Sequence, residues 1–264
     1  MERTVALITG ASGGIGRACA LALGRCGAGF QPAQQSRQDA CPAPFDLALQ
    51  FRKNSTPLEA LAAQLGTEMN VRAGLFQADL SAPGAAAALV ERVAEKLGPP
   101  TVLIHAAGHI LEKPITFTSA ADWDALLEVH ALSAAALAKA LLRCLRKTRQ
   151  GRIVFIGSLA GAAGLGNGAA YAAAKGALHG LCKSLALETA RWGTTVNVIA
   201  PGYVDTAMTG GHDAARRAQA CEAVPLGRYG APEEIAALAA FLCSPQAGYI
   251  TGQTIVLDGG MSLG

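Results

Sequence analysis

The stretch TGASGGIG, residues 9–16, decides how this chain folds. It follows a short apolar run at 5–8 and precedes a helical pattern of apolar residues from 15 to 23. Strand, glycine turn and helix in this order open a βαβ unit. Glycines let a pyrophosphate approach the backbone, and the helix N-terminus beyond them offers free N–H groups. The stretch therefore predicts a dinucleotide site that includes Gly10, Ala11, Ser12, Gly13, Gly14, Ile15 and Gly16.

The same alternation continues along the rest of the chain. Six further apolar runs predict strands, and amphipathic segments between them predict helices. Nearly continuous apolar strands are typical of a parallel sheet that is covered on both faces. We therefore expect a single-domain α/β fold, a Rossmann-type doubly wound parallel sheet of about seven strands. The further strands are expected at 47–51, 75–78, 102–105, 153–157, 196–199 and 254–257, and the helices at 58–65, 85–97, 122–145, 170–191 and 232–242.

One segment does not fit this alternation. Residues 30–44, FQPAQQSRQDACPAP, are rich in Gln, Pro and small polar residues and separate the first helix from the second strand. Connections of this kind usually take about 2–6 residues. The segment is interpreted as a surface insertion, with a lid or an oligomer contact as the alternatives.

Composition narrows the class of protein. Of 264 residues, 51% are hydrophobic and 16% are charged, which suits a large buried core. A net charge of +3 argues against a dedicated nucleic-acid binder. The seven cysteines are odd in number and lack a CxxC pair, so we expect reduced thiols and no metal site. Neither a signal peptide nor a membrane span is expected, which favours a cytoplasmic protein.

The end of the second strand bears on the choice of dinucleotide. An acidic residue there would bind the ribose hydroxyl of NAD, but this strand ends in Arg52 and Lys53. A guanidinium pairs with a phosphate, so the pattern favours NADP, with a solvated basic pair as the alternative. Asp79 and Leu80 follow the third strand. Asp79 is expected at the adenine edge or as a helix N-cap.

Candidate catalytic residues lie in the second half of the chain. Tyr171 and Lys175 are four residues apart in an alanine-rich stretch, so they are neighbours on one helix face. Ser158 follows the fifth strand, where the ligand crevice of such sheets lies. A nearby ammonium lowers the pKa of a phenol from its usual value of about 10. Tyr171 is thus interpreted as a proton donor and Ser158 as the hydroxyl that holds a carbonyl for hydride attack.

Together these pieces resemble the short-chain dehydrogenase/reductase family over nearly the whole chain apart from 30–44. The resemblance extends to NVIAPGYVDTAM at 197–208 and YITGQTIVLDGG at 249–260. GRIVFIGSLAG, VPLGRYGAPEEIAALAAFLCS and the C-terminal DGGMSLG are similar to the patterns of 3-oxoacyl-[acyl-carrier-protein] reductases.

The resemblance implies a reaction. Tyr171 protonates the substrate oxygen, Ser158 orients it, and Lys175 binds the nicotinamide ribose and lowers the pKa of Tyr171. NADPH reduces the C3 ketone of an acyl thioester on acyl carrier protein, in fatty acid or polyketide-type synthesis. A homotetramer formed through helices around 122–146 and 170–191 is also implied. Further cofactor contacts are implied at Ala106, Ala107, Gly108, Pro201, Gly202, Val204 and Thr206.

The chain departs from the family pattern in three places. The family's NNAG is HAAG here, residues 105–108, which predicts a looser turn or hydrogen bonds shifted to His105. His130 stands where the family has an asparagine that supports a water in the proton relay. The histidine replaces that asparagine, titrates and makes activity pH-sensitive, or weakens the relay. Gly13 occupies a position where many NADP-dependent relatives carry a basic residue, which weakens the preference for NADP.

A basic cluster ends the predicted long helix before the fifth strand. It is either a solvated face that complements the helix dipole or a dock for an acidic carrier protein near the mouth of the site. Arg149 and Arg146 are the docking candidates. The cluster consists of Arg143, Arg146, Lys147, Arg149 and Arg152.

Two other functions compete with the oxoacyl reductase. The first is another reductase of the same family that acts on a CoA ester, a sugar, a steroid or a small alcohol. Residues 207–224 are expected to cover the substrate, and their sequence does not name one. The second is a catalytically weak nucleotide-binding subunit that serves a partner.

Overall fold

The computed structural model describes residues 3–27, 45–148 and 150–263, which form one parallel sheet with helices on both faces. The strand order is β3-β2-β1-β4-β5-β6-β7. Every neighbouring pair is parallel, so the predicted fold class is confirmed. The strands are β1 Thr4–Thr9, β2 Phe45–Phe51, β3 Ala73–Gln77, β4 Pro100–His105, β5 Arg152–Ile156, β6 Thr195–Pro201 and β7 Thr254–Leu257.

The central strands are buried on both faces because successive side chains point to opposite sides of a sheet. Leu7 and Ile8 show this directly. Both are fully buried, but Leu7 packs into the core on one face of the sheet and Ile8 into the core on the other. This double burial explains why the strands appear in the sequence as continuous apolar runs.

The helices divide between the two faces. Helices α1 and α9 pack against each other on one face, and α3, α5 and α7 supply the other core. The helices are α1 Gly14–Gly27, α2 Thr56–Met69, α3 Ala85–Leu97, α4 Ala120–Leu127, α5 Ser133–Thr148, α6 Ala160–Ala163, α7 Ala169–Thr189, α8 Ala214–Glu222 and α9 Pro232–Leu242.

The helix predicted at 122–145 is not uniform. A π-helical turn, Glu128–Leu132, separates α4 from α5 and carries His130 into the interior. Such single-turn π segments are frequent at functional sites. By length and mean hydropathy the segment Ala120–Thr148 could cross a membrane. Leu137, Leu141 and Leu145 on its apolar face are nevertheless fully buried against the sheet, as expected for a core helix.

Two short helices lie where no helix was predicted. Helix α6 follows β5, and α8 lies in the predicted cover at 207–224. The side chain of Asp213 caps α8 by accepting from the backbone N–H of Arg216 at 2.7 Å. The predicted insertion at 30–44 lies outside the described residues.

Candidate active site

Two adjoining cavities lie at the carboxyl edge of the sheet, where the strand order reverses between β1 and β4. This is the place where ligands bind in open α/β sheets. We call the larger cavity, about 670 Å³, the nucleotide trough and the smaller one, about 180 Å³, the catalytic pocket. The two share the wall residues Ile15, Ala106, Gly108, Ile110, Thr206 and Met208.

Glycine is required at the turn that floors the nucleotide trough. Gly10 has φ of +62°, and a Cβ on it would lie 2.7 Å from the Cα of Ala107. A Cβ on Gly16 would lie 2.3 Å from the carbonyl oxygen of Gly10. Helix α1 begins at Gly14, so its first N–H groups, which lack intrahelical partners, lie beside the trough. The turn and the helix terminus therefore fit the phosphates of a dinucleotide.

Gln50, which is not among the predicted site residues, fixes this turn. Its buried amide accepts from the N–H of Gly10 at 2.9 Å and donates to the carbonyl of Ala78 at 2.7 Å. The side chain thus ties the glycine turn to the chain leaving β3. The sequence feature that could have indicated this role is a polar residue near the end of the mainly apolar strand FDLALQF.

Most predicted cofactor residues line the trough, but not all of them do. Ala11 is buried beneath the turn, and Lys53 is exposed outside the trough. Pro201, Gly202 and Val204 line the catalytic pocket instead. Those that line the trough are Gly10, Ser12, Gly13, Gly14, Ile15, Gly16, Arg52, Asp79, Leu80, Ala106, Ala107, Gly108 and Thr206.

Arg52 lies on the wall of the trough and pairs with Asp79. The Arg52 Nε and a carboxylate oxygen of Asp79 are 3.3 Å apart, and the two side chains are 58% and 47% exposed. Asp79 also accepts from the backbone N–H of Ser81, whereas Gly84 is the N-cap of α3. The alternative of Asp79 as a helix cap is therefore wrong, because a turn separates it from the helix.

The turn after β4 is held by Thr9 and His105. The Thr9 hydroxyl lies 3.2 Å from the N–H groups of both Ala106 and Ala107, and 2.9 Å from Nδ1 of His105. Nε2 of His105 lies 3.3 Å from the Ser133 hydroxyl. Burial lowers the pKa of His105 to about 3, so the ring is neutral. Of the two alternatives for this turn, the structure shows the shift of hydrogen bonds to His105, whose side-chain partners are the Thr9 and Ser133 hydroxyls.

Three predicted catalytic side chains meet in the catalytic pocket. Ser158 follows β5, while Tyr171 and Lys175 extend from one face of α7. The Lys175 ammonium donates to the carbonyl of Ile156 at 2.7 Å and lies 5.9 Å from the centre of the Tyr171 ring. Tyr171 and Lys175 are both buried, at 6% exposure each.

Burial sets the proton affinities of this pair. Desolvation lowers the pKa of Lys175 from 10.5 to about 7. Desolvation also raises the pKa of Tyr171, against the opposite effect of a hydrogen bond with Ser158. The expected lowering of the phenol pKa is therefore wrong for this structure, because burial outweighs the hydrogen bond with Ser158. The Tyr171 phenol is protonated at neutral pH and can donate a proton.

His130 packs between the trough and the pocket. Its Nε2 lies 2.8 Å from the carbonyl oxygen of His109, and its ring meets that of Tyr171 edge-on at 5.5 Å between centroids. The ring fills the space that a Cβ on Gly108 would need, at 2.0 Å. Burial lowers the pKa of His130 to about 2 and the Lys175 charge adds to the effect. The alternative that His130 titrates near neutral pH is therefore wrong.

The remaining pocket wall was largely unpredicted. It is apolar, with a few polar groups at its outer end. Within 3–27, 45–148 and 150–263, no cluster of three His, Cys, Asp or Glu residues could hold a metal ion. Met208 and His212 of the predicted cover at 207–224 line the pocket, and the wall residues that were not predicted include Ile110, Glu112, Leu165, Tyr203 and Met261.

The basic cluster does not lie near the pocket mouth of its own chain. Helix α5 runs antiparallel to the strands, and its last residue, Thr148, shares a cavity with the amino ends of β1 and β2. Arg146 stacks on the Trp192 ring at 5.7 Å. Arg152 is buried and bonds to carbonyl groups, including that of Gly151, so it does not belong to a surface cluster. Arg149 lies outside the described residues.

The sequence matches a family model over most of its length. Residues 45–262 match the family described as enoyl-(acyl carrier protein) reductase. The chain belongs to the short-chain dehydrogenase/reductase family and is an oxidoreductase.

Individual relatives are similar over the full length. The chain is 36% identical over 260 residues to the 3-oxoacyl-[acyl-carrier-protein] reductase FabG of Escherichia coli, covering 98% of each chain. It is 36% identical over 261 residues to FabG of Pseudomonas aeruginosa, covering 99% of this chain and 98% of the relative. Among solved structures, acetoin dehydrogenase YohF from Salmonella typhimurium is 31% identical with a TM-score of 0.85, covering 99% of this chain and 98% of that one.

Proposed function

We propose that this protein, acting as a single catalytic domain, reduces a 3-oxoacyl thioester to the 3-hydroxyacyl thioester with NADPH. The observation that carries the proposal is the buried, protonated Tyr171 beside Ser158, in a pocket that opens on a nucleotide trough. The full-length similarity to 3-oxoacyl-[acyl-carrier-protein] reductases supports the substrate class. We extend the proposal to a cytoplasmic homotetramer that works in fatty acid or polyketide-type synthesis.

The residues of the pocket divide the work of carbonyl reduction. The Ser158 hydroxyl holds the ketone oxygen, and the Tyr171 phenol donates a proton to it as negative charge develops. Lys175 is held on the carbonyl of Ile156, so its remaining N–H groups are available to a ribose hydroxyl and to the proton supply of Tyr171. The bound nicotinamide cofactor supplies the hydride. The apolar wall excludes water from the reacting carbon.

Arg52 is the residue that we expect to favour NADPH over NADH. Its half-exposed guanidinium can leave Asp79 and pair with a 2′-phosphate, since the observed pair is long and solvated. Arg52→Gln should lower kcat/KM for NADPH about tenfold and change that for NADH less than twofold. Lys53→Gln is the matched control and should change neither value. Equal losses with both cofactors in Arg52→Gln would contradict this assignment.

His130 is proposed as a positioning residue for Tyr171. Its neutral ring is held by the carbonyl of His109 and packs edge-on against the phenol. Its Nδ1 is buried with no hydrogen-bond partner among the described residues, so the ring can accept one further hydrogen bond. His130→Asn should leave turnover similar or raise it, because an amide also accepts. Complete loss of turnover would assign the imidazole a role of its own.

Carrier docking at Arg146 and Arg149 stays a proposal. The end of α5 lies about 24 Å along the helix from its pocket end. A carrier protein docked at this end of α5 would therefore have to reach around the edge of the same chain, or it would present its substrate to the pocket of another copy of the chain. Arg149→Glu should weaken reduction of a carrier-bound substrate more than reduction of a small thioester. Equal effects on both substrates would contradict docking at this cluster.

A second candidate function is the reduction of a small free ketone. The catalytic pocket is small and mostly apolar, and two of the similar solved structures are acetoin dehydrogenases.

Comparing substrates separates the two candidates. Initial rates at 340 nm with NADPH should give a higher kcat/KM for acetoacetyl-CoA than for diacetyl. The reverse order, with no gain from the carrier-bound thioester, would favour the small-ketone reductase. Tyr171→Phe serves as the control for background oxidation.

A further inference from the structure

The catalytic pocket is flanked on its outer side by two separate walls. One wall is the loop after β4, residues 106–114, which carries Glu112. The other is the segment that follows β6, residues 203–229, which includes α8 and which we call the lid. Glu112, Met208 and His212 all line the pocket, so the loop and the lid face each other across it.

Each wall is held together by its own contacts. In the lid, Arg217 pairs with Asp205 at 2.7 Å and lies 4.4 Å from the centre of the Tyr229 ring. Tyr229 stacks on Tyr203 and bonds to His212 at 2.9 Å.

The loop after β4 is anchored away from the lid. Lys113 pairs with Asp122 of α4 at 2.7 Å, and its N–H donates to the carbonyl of Asn167. Within the lid, α8 and the side chains joined to it can therefore move relative to this loop, while Val204 stays in the buried core.

One ion pair joins the two walls. The Arg216 guanidinium donates from a single nitrogen to both carboxylate oxygens of Glu112, at 2.7 and 2.5 Å. Among the ion pairs of the described residues, it alone links α8 to the loop after β4. Glu112 is 31% exposed and also lines the pocket, so the pair lies at the boundary between pocket and solvent.

We infer that the Glu112–Arg216 ion pair is a latch across the substrate mouth and a determinant of substrate size. This inference rests on the proposed function. A small diketone fits in the pocket, whose volume is about 180 Å³, while the Glu112–Arg216 pair stays formed. A thioester also has an arm that leaves through the mouth, and opening of the pair widens the path for this arm. An exposed pair of this kind changes an equilibrium about two- to fivefold, which is enough to tune access without sealing the pocket.

The test compares two substrates in three variants. The thioester is the acetoacetyl ester of N-acetylcysteamine, whose uncharged arm removes any attraction to a freed Arg216, and the small ketone is diacetyl. Glu112→Gln should raise the ratio of kcat/KM for thioester over diacetyl two- to fivefold. Asp205→Asn breaks the other α8 ion pair without spanning the mouth and should leave that ratio unchanged. The exchanged pair, E112R with R216E, should restore the wild-type ratio.

Hydrogen exchange of α8 provides a readout that does not depend on activity. Glu112→Gln should raise amide exchange in residues 214–222 two- to fivefold, and the exchanged pair should reverse the increase. Unchanged exchange, or faster exchange with an unchanged substrate ratio, would overturn the latch. If the wild type reduces no thioester, the proposed function fails, and the exchange experiment alone decides whether the latch exists.

Discussion

The nucleotide trough and the catalytic pocket lie side by side but are built by different means. The trough is shaped by backbone, with glycines at positions where a Cβ would collide with Ala107 or with the carbonyl of Gly10. The pocket is shaped by buried polar side chains, with Lys175 and His130 both nearly inaccessible to solvent. The trough contributes to folding as well as binding, whereas the pocket holds groups whose burial is costly.

This difference predicts opposite consequences for substitutions in the two regions. A side chain added in the trough displaces backbone, so stability and nucleotide binding are lost together. A charge removed from the pocket takes away function but also a desolvation cost, so activity falls while the fold persists.

Lys175→Met is expected to have the largest effect on activity. It removes the group beside Tyr171, and turnover should fall about 10²- to 10⁴-fold in the 340 nm assay. The folded-state pKa of Lys175 is about 7, below its ordinary value of 10.5, so the unfolded chain binds this proton more tightly. Wild-type stability should therefore rise between pH 7 and pH 10, and the variant should lack this rise. Urea unfolding that shows a large loss of stability at pH 7 in the variant would contradict the account.

Gly16→Ala, in the trough, should lower both the stability of the fold and the affinity for NADPH. Its new Cβ would lie 2.3 Å from the carbonyl oxygen of Gly10, so the turn must shift. We expect a loss of about 2–4 kcal/mol in the free energy of unfolding, together with weaker NADPH binding. Gly66→Ala is the matched control, since it lies exposed in α2 with open space around it and should stabilise by about 0.5–1 kcal/mol. Normal NADPH affinity in Gly16→Ala would show that the turn tolerates a side chain at this position, contrary to the account.

The trough could be predicted from the sequence better than the pocket, because the trough is shaped by backbone and the pocket by buried side chains. Glycines and apolar runs are local patterns, so the sheet and the turn at 9–16 could be predicted from them. The pocket depends on burial and on contacts across long separations, such as Glu112 with Arg216. The raised pKa of Tyr171 could not be predicted from its spacing to Lys175, because its largest cause is burial, which the spacing does not show.

Two further features depended on three-dimensional context. The π turn that carries His130 inward interrupts a pattern that looks uniformly helical. The direction of α5 places Arg146 at the edge of the sheet opposite the pocket. The cluster of basic residues in the sequence does not show at which edge it lies.

The smallest predicted effect is the contribution of the two buried histidines to the loss of stability in acid. The pKa of His105 is lowered to about 3 and that of His130 to about 2, from an ordinary value of 6.5. As pH falls below 6.5 the unfolded chain binds these protons first, so stability decreases from there towards pH 3. Each histidine should cost roughly 1–2 kcal/mol at pH 5. Urea unfolding of His130→Asn should show a shallower loss between pH 6.5 and pH 5, and parallel curves would contradict burial as a neutral ring.

The separation of binding from chemistry is tested most directly by titrating NADPH into Tyr171→Phe and measuring turnover on the same preparation. Removing the hydroxyl deletes the proton donor but leaves the trough untouched. We expect a Kd for NADPH within about twofold of wild type and turnover reduced at least about 100-fold. Retained turnover, or loss of NADPH binding together with turnover, would contradict the account.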